Sequence, residues 1–274
     1  MAESDGLRVR EYGDSGPTVI VLHGGPAAPG SAAPIARGLA ETFRVLEPWQ
    51  RASGDEPLTV ARHVADLRDV VREHCGDGQP ALVGESWGAM LALAYAAEHP
   101  RAAGPLALVG CGTFDPEARA RMERTLSARM SEETRRRMEQ IEQELDDPGE
   151  RLRRKYEVIR PLQDYDVVEP EERDAHTGSF DVPAHTETWA DMLRLQEEGV
   201  YPAAFSAIES PVLMLHGAYD PHPGPMIRDG LRRYIPQLEY REWERCGHRP
   251  WAERAVRGEF FAVLREWLRR HTEG

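Results

Sequence analysis

Residues 82–90 read Leu-Val-Gly-Glu-Ser-Trp-Gly-Ala-Met. Ser86 lies between Gly84 and Gly88, with an apolar run before it and a helix-forming run after it. This spacing is typical of a sharp strand-to-helix turn, at which only small side chains fit beside the serine and its hydroxyl stays accessible. An ordinary surface turn can show the same pattern, because Gly and Ser break regular structure. The serine therefore has to be interpreted together with its partners elsewhere in the chain.

The composition is that of a globular protein with a highly charged surface. The chain has 274 residues, of which 41% are hydrophobic and 30% charged, and its formal net charge is −13. We expect neither nucleic-acid nor membrane partners, because binding to either polyanion needs clustered positive charge. Cys75, Cys111 and Cys246 lie far apart, without the spacing of a metal site or a disulfide framework.

Residues 1–16 have no apolar stretch behind a basic start, so they do not resemble a signal peptide. No run approaches the roughly 20 apolar residues that span a bilayer. A cytoplasmic location is the default expectation, and the oligomeric state stays open.

Short apolar runs alternate with helical patterns along most of the chain. Strands are predicted at 17–22, 43–48, 80–84, 105–110, 211–216 and 238–243. Amphipathic or apolar helices are predicted at 59–75, 87–98 and 259–270. This alternation predicts an α/β protein with a mostly parallel central sheet and helices on both faces.

The character of the sequence changes between about 113 and 205, where Arg and Glu are dense and no clear strand pattern is present. Apolar residues near helical spacing in this stretch are Met122, Leu126, Met130, Met138, Ile141 and Leu145. We predict an inserted cap of helices that bury one stripe, while a solvated charged segment is the plainer alternative. The predicted organisation is a core in two parts, 1–112 and 206–274, with the cap at 113–205.

Two further residues form a candidate catalytic set with Ser86. Asp220 and His248 each follow a predicted strand of the second core part. Residues after the carboxyl ends of parallel strands collect at one edge of the sheet. A serine hydroxyl becomes a good nucleophile when a histidine takes its proton and a carboxylate orients that histidine. The alternatives are an Asp-Pro turn for Asp220 and, less favoured, a nucleophilic Cys246.

Backbone N–H groups near the serine are needed to bind an oxyanion. The N–H of Trp87 directly follows the serine, and the loop at 23–30 follows the first buried strand. Gly25 in this loop is the expected second donor, because glycine lets the backbone approach a substrate closely; a plain turn is the alternative. The residues expected to support the two turns are His23, Gly24, Pro26, Gly84 and Gly88.

Together these motifs resemble the α/β-hydrolase superfamily and, more narrowly, its proline iminopeptidase-like branch. The matching segments are His23-Gly24-Gly25-Pro26, Gly84, Ser86-Trp87-Gly88, residues 91–100, Tyr219-Asp220 and Gly247-His248. The resemblance implies the α/β-hydrolase fold with a helical cap, and a serine hydrolase acting on a small-molecule or short-peptide substrate. This chemistry is complete without a metal or an organic cofactor, so we expect neither.

The sequence also departs from the pattern of that branch at Ala27, Glu85 and Trp49. In the branch, cap carboxylates hold the free α-amine of the substrate; the candidates here are Glu171, Glu172, Asp181, Glu187 and Asp191. The acidic cap favours an N-terminal prolyl aminopeptidase, whereas the departures favour a small-molecule esterase, lactonase or thioesterase. A non-hydrolytic lyase or oxygenase and a ligand-binding protein also stay open, because one fold hosts many functions.

Overall fold

A computed structural model describes residues 7–168 and 180–272 of the chain. Within these residues, seven strands form one sheet in the order β1-β3-β2-β4-β5-β6-β7. Neighbouring strands are parallel, except that β1 pairs with β3 in antiparallel register. The strands are β1 (Val9–Tyr12), β2 (Thr18–Leu22), β3 (Arg44–Pro48), β4 (Ala81–Glu85), β5 (Leu106–Val109), β6 (Val212–Gly217) and β7 (Glu239–Trp243).

The helices of the described part alternate with these strands or lie between β5 and β6. They are α1 (Ala33–Leu39), α2 (Val60–Cys75), α3 (Trp87–Glu98), α4 (Pro116–Arg129), α5 (Glu132–Glu144), α6 (Pro148–Ile159), α7 (Val182–Glu197), α8 (Gly224–Arg232) and α9 (Arg257–Thr272). The six predicted strands and the three helices predicted in the core are therefore confirmed. The sequence analysis missed β1, α1 and α8, which have four, seven and nine residues.

Both faces of the sheet are covered at its centre, which explains why the inner strands β2, β4, β5 and β6 are apolar at most positions. In β2, Ile20 and Leu22 pack in a cluster with α2, α3 and α8. Val19 and Val21, which point the other way, pack in a second cluster with α1 and α9. This two-sided core fixes the carboxyl ends of the parallel strands along one edge, where the loops after β2, β4, β6 and β7 meet.

Helices α4 to α7 follow β5 and precede β6, within the region predicted as a cap. The Arg- and Glu-rich run breaks into two helices at Ser131, whose hydroxyl accepts a hydrogen bond from the N–H of Thr134 and so begins α5. In the predicted apolar stripe, Ile141 is buried and the other five residues are half-buried. Among residues 7–168 and 180–272, every helix is too short or too polar to cross a bilayer.

Candidate active site

Ser86 lies on a sharp turn between β4 and α3, with φ +53° and ψ −114°. Such a positive φ is unusual for a residue with a side chain, and the surrounding packing must hold it in place. A Cβ atom at Gly84 would lie 2.3 Å from the backbone of Gly88, and one at Gly88 would lie 2.2 Å from the carbonyl oxygen of Leu22. The two glycines are therefore required by the close approach of β4, α3 and β2 at this turn.

Asp220 follows β6 and His248 follows β7, and the structure brings the two side chains into contact. His248 Nδ1 lies 2.6 Å from Asp220 Oδ2, and both residues are buried. Ser86 and His248 line the same cavity, which has a volume of about 460 Å³. The three residues that the sequence analysis selected as catalytic candidates thus meet at one end of the sheet.

The charges of this pair follow from its surroundings. Burial alone would raise the pKa of the Asp220 carboxyl, but the charges of His248, His222 and His216 hold that pKa well below its usual value. Burial lowers the pKa of His248, and the Asp220 carboxylate outweighs this and raises it above the ordinary value. Asp220 is therefore an anion that orients the imidazole through Nδ1–H and leaves Nε2 as the proton acceptor.

Two further histidines, His216 and His222, lie close to Asp220. The backbone N–H and the Nδ1–H of His222 both donate to Asp220 Oδ1, at 2.9 and 2.8 Å. The ring of His222 also stacks on that of His248. His216 Nε2–H donates to the carbonyl oxygen of His222 at 3.0 Å. Their positions four residues before and two residues after Asp220 were the only sequence signal for these contacts.

Within residues 7–168 and 180–272, Asp220, His222 and His248 form a group that could hold a metal ion, because each offers a ligand atom within 4.8 Å of the others. Their facing atoms are already used in hydrogen bonds with one another: Oδ1 with His222 and Oδ2 with His248. The arrangement present is a hydrogen-bonded network in which one carboxylate serves two imidazoles.

The loop at 23–30 lies opposite the Ser86 turn and lines the same cavity. Gly25 has φ +114°, and a Cβ atom there would lie 2.8 Å from the nitrogen of Ala27, so only glycine fits. Ala27, which stands where the resembling branch has glycine, also has a positive φ of +67°. Gly25 and Trp87, the two residues predicted to supply oxyanion donors, both line the cavity.

His23 lies beneath this loop and is fully buried. Its Nδ1–H donates to the carbonyl oxygen of Gly24 at 2.9 Å, and its Nε2 accepts from the backbone N–H of Gln50 at 3.0 Å. Burial lowers the pKa of His23 to about 4, so the ring is neutral at ordinary pH. The side chain of Gln50 accepts from the indole N–H of Trp87 at 2.8 Å and donates to the carbonyl oxygen of His23 at 2.9 Å. Gln50 thus joins the loop to the Ser86 turn.

Glu253 is a buried carboxylate that the sequence analysis missed. Its Oε1 accepts from the backbone N–H groups of Tyr165 and Gly247, both at 2.8 Å, and its Oε2 accepts from that of Asp166 at 2.7 Å. Gly247 directly precedes His248, so Glu253 fixes the turn that carries the imidazole. A single Glu in a charge-rich sequence gives no pattern that would reveal this role.

Three of the five cap carboxylates proposed as amine ligands have other partners. Asp181 Oδ2 accepts from the backbone N–H and the hydroxyl of Ser53, both at 2.8 Å. Glu187 and Asp191 accept from the backbone N–H groups of Leu58 and Val60, each at 2.8 Å. None of these three acids lines the cavity. Glu171 and Glu172 lie outside the described residues.

The cavity wall combines apolar, aromatic and charged side chains. The region predicted as a cap contributes Met122, Leu126, Tyr156, Phe180, His185 and Trp189. Guanidinium groups come from Arg37, Arg160 and Arg249, the last of which forms a bidentate pair with Asp164. Among the described lining residues, Glu85 is the single acidic one. Ser86 therefore lies in a cavity whose wall is both apolar and charged.

The fold agrees with what comparison with known proteins shows. Residues 17–253 match the model of the alpha/beta hydrolase fold family, and the chain belongs to that family. It is a hydrolase-family protein with a seven-stranded, mostly parallel sheet within the described residues.

Curated relatives of the chain include proline iminopeptidases. The protein from Lactobacillus helveticus is 24% identical over 291 residues, which cover 94% of this chain and 91% of the relative. The protein from Neisseria gonorrhoeae is 40% identical over 104 residues, but these cover only 35% of this chain and 33% of the relative. The chain thus spans about a third of the length of the Neisseria relatives that it matches.

Solved structures show the same fold at low sequence identity. VinJ superposes with a TM-score of 0.74 at 19% identity, covering 98% of this chain and 97% of VinJ. A thermophilic esterase from Thermogutta terrifontis superposes with a TM-score of 0.64 at 23% identity, covering 97% and 94% of the two chains. At these identities the similarity concerns the fold alone.

Proposed function

We propose that the protein is a serine hydrolase that forms an acyl-enzyme on Ser86 and cleaves a small amide or ester. The observation that carries this proposal is the arrangement of three side chains. A strained Ser86 and a buried His248 share one cavity, and Asp220 holds the imidazole at 2.6 Å through Nδ1. Each of the three lies just after a strand of the sheet, so its backbone is supported by the core.

In the first half-reaction, Ser86 Oγ attacks the substrate carbonyl carbon and His248 Nε2 takes the hydroxyl proton. The developing oxyanion accepts hydrogen bonds from the N–H groups of Gly25 and Trp87. When the tetrahedral intermediate collapses, His248 gives its proton to the leaving amine or alcohol, and the acyl group stays on Ser86. Water then attacks the acyl ester with His248 again as base, which releases the acid and restores the serine.

We propose an N-terminal prolyl amide as the first substrate class, on the similarity to proline iminopeptidases over 94% of the chain. An ester is the second class, and one observation favours it. Asp181, Glu187 and Asp191 bind the backbone of residues 53–60 and leave the cavity without these three acids as amine ligands. The proposed mechanism is the same for both classes, since only the leaving group differs.

The test compares hydrolysis of a prolyl arylamide and a short-chain aryl ester by the wild type and by Ser86→Ala. We expect turnover of at least one substrate and its loss in Ser86→Ala, with Ser206→Ala, an exposed serine outside the cavity, as the matched control. Labelling with a fluorophosphonate followed by peptide mapping should modify Ser86. Full turnover by Ser86→Ala, or conversion of substrate without any acyl-enzyme, would instead support a lyase on this fold. An unlabelled Ser86 together with tight, unreactive ligand binding would support a binding protein.

A further inference from the structure

Glu85 directly precedes the proposed nucleophile, and its side chain is only 6% exposed at the wall of the cavity. Burying a carboxylate is costly unless hydrogen-bond donors compensate the lost water. The hydrogen-bond donors to the Glu85 carboxylate therefore indicate its role in the structure.

Both donors belong to the loop after β2, on the opposite side of the cavity from α3. Glu85 Oε1 accepts from the backbone N–H of Gly24 at 2.9 Å, and it also accepts from the hydroxyl of Ser31. A Cβ atom at Gly24 would lie 3.0 Å from the same oxygen, so glycine gives the carboxylate its close approach. The side chain of Glu85 thus connects the end of β4 with the loop at 23–31.

This connection acts on the proposed oxyanion donor through one peptide unit. The carbonyl of Gly24 and the N–H of Gly25 belong to the same planar peptide, so fixing one fixes the direction of the other. Gly24 is held on both sides, at its N–H by Glu85 and at its carbonyl oxygen by His23 Nδ1–H. The other proposed donor, the N–H of Trp87, lies two residues after Glu85 in the chain.

We propose that Glu85 is a positioning residue for the oxyanion site: its carboxylate ties the loop at 23–31 to the Ser86 turn and so holds the Gly25 N–H facing the Trp87 N–H. This inference rests on the proposed hydrolase function. It assigns a role to Glu85, at which the chain departs from the proline iminopeptidase-like pattern, because that pattern has glycine before the serine.

The charge of Glu85 has a second, separable effect. Burial lowers the pKa of His248, whereas the charge of Asp220 and, to a lesser degree, that of Glu85 raise it. A neutral side chain at position 85 should therefore move the acid limb of the pH–rate profile to lower pH. This shift depends on the charge alone, while the tie to the loop depends on the acceptor oxygen.

Three variants separate the two effects. Glu85→Gln removes the charge but keeps an oxygen that can accept from Gly24 and Ser31. Glu85→Ala removes both, and Ser31→Ala removes one donor while keeping the charge. Because oxyanion contacts strengthen in the transition state, the loss should appear in kcat with little change in KM. We expect Glu85→Ala to lower kcat about 100-fold, as losing one oxyanion donor does, and Ser31→Ala and Glu85→Gln to lower it by less than about tenfold each.

The affinity for a transition-state analogue is a measurement that would not change if Glu85 had only a structural role. The affinity for a trifluoromethyl ketone, which forms an oxyanion on Ser86, should fall across the variants in proportion to kcat/KM. The acid limb should move in Glu85→Gln and Glu85→Ala but not in Ser31→Ala. Thermal unfolding identifies any variant that fails to fold. If Glu85→Ala fails to fold, Ser31→Ala still tests the inference, because it loses only a hydroxyl.

Equal kcat and equal analogue affinity in wild type and Glu85→Ala would overturn the inference, as would a rise in KM with kcat intact. Fluorophosphonate labelling distinguishes this failure from failure of the proposed function. If the wild type is not labelled at Ser86, the hydrolase proposal itself is wrong. If wild type and Glu85→Ala are labelled at the same rate, the hydrolase proposal stands and Glu85 has no role in the oxyanion site.

Discussion

His222 stacks on His248, with their ring centroids 4.7 Å apart and their ring planes 24° from parallel. Both imidazoles bond to the carboxylate of Asp220, His248 through Oδ2 and His222 through Oδ1. The carboxylate is therefore fixed at both oxygens, and the face of the His248 ring is covered. His222 restricts the two groups that must keep their positions while a proton moves to and from His248.

Replacing His222 should consequently slow the reaction without abolishing it. His222→Ala removes the Nδ1–H bond and the stacking, and His222→Phe keeps an aromatic ring but removes the bond. A hydrogen bond to a charged group contributes roughly 1.5–3 kcal/mol, so we expect kcat/KM to fall about 10- to 100-fold in both variants. Steady-state kinetics with His74→Ala, outside the cavity, as control would check this. A wild-type rate in His222→Phe would show that stacking alone matters.

The pH dependence follows from the charge on His248. The reaction needs a neutral imidazole, and the Asp220 carboxylate raises the pKa of His248 above 6.5 against the effect of burial. Activity should therefore fall as the pH decreases through this raised pKa. In Asp220→Asn the anion is lost, so the acid limb should move to lower pH, and kcat should drop about 10⁴-fold, as the same change does in a Ser-His-Asp protease. The pH profiles of kcat/KM for the wild type and for Asp220→Asn test the direction of this shift. A shift of the acid limb to higher pH in Asp220→Asn would contradict the prediction.

The sequence predicted the core strands well because a parallel sheet buried on both faces leaves unbroken apolar runs. It missed β1 because that edge strand reads Val-Arg-Glu-Tyr, with two charged residues in four. Ser86, Asp220 and His248 were selected because each follows a predicted strand, and the structure brings them to one edge of the sheet. Position after a strand is a property of local sequence, so it can be read without coordinates.

The partners of buried carboxylates could not be predicted in the same way. Glu85 and Glu253 accept from backbone N–H groups, which every non-proline residue carries, so no sequence pattern identifies the donor. The donor to Glu85 lies 61 residues away along the chain. For the same reason no sequence pattern indicates that Asp181 and Asp191 bind the core backbone rather than a ligand.

Glu253 offers a direct test of how the His248 turn is supported. In Glu253→Gln one carboxylate oxygen becomes an NH₂ group, which faces backbone N–H donors and cannot accept from them. We expect the free energy of unfolding to fall by about 1–3 kcal/mol, and kcat to fall because at least one of the backbone N–H groups of Tyr165, Asp166 and Gly247 loses its acceptor beside His248. Denaturant unfolding of this variant and of Glu244→Gln, an exposed control close in sequence, measures the difference. Equal stability of the two variants would show that the turn holds without the carboxylate.

The last prediction concerns the contact between α7 and the segment at 53–60. Asp181, Glu187 and Asp191 accept hydrogen bonds from backbone N–H groups of this segment, and Val60 is the first residue of α2. A carboxylate at the start of a helix compensates unpaired N–H groups and the positive end of the helix dipole. These acids therefore act as ties between the cap helix α7 and the core.

Neutralising the ties should loosen this contact. Burial would raise the pKa of Asp181, but hydrogen bonds from Ala184 and Ser53 lower it below the usual value. A lowered pKa in the folded state means that the stabilisation is present above the pKa of the unfolded chain and is lost as the pH falls through the folded value. Acidification below about pH 4, near the unfolded value for Asp, should thus act like Asp181→Asn.

Hydrogen exchange at neutral pH is the measurement that localises this effect. In Asp181→Asn/Asp191→Asn, we expect the amides of residues 53–60 and of α7 to exchange faster, while the amides of β4 and β5 stay as protected as in the wild type. Glu197→Gln, an exposed position on α7, is the matched control and should leave all four segments unchanged. Unchanged protection in the double variant would contradict this role of Asp181 and Asp191, and would mean that the remaining contacts keep α7 on the core, namely the Glu187 hydrogen bond and the packing of Ala184 and Met192.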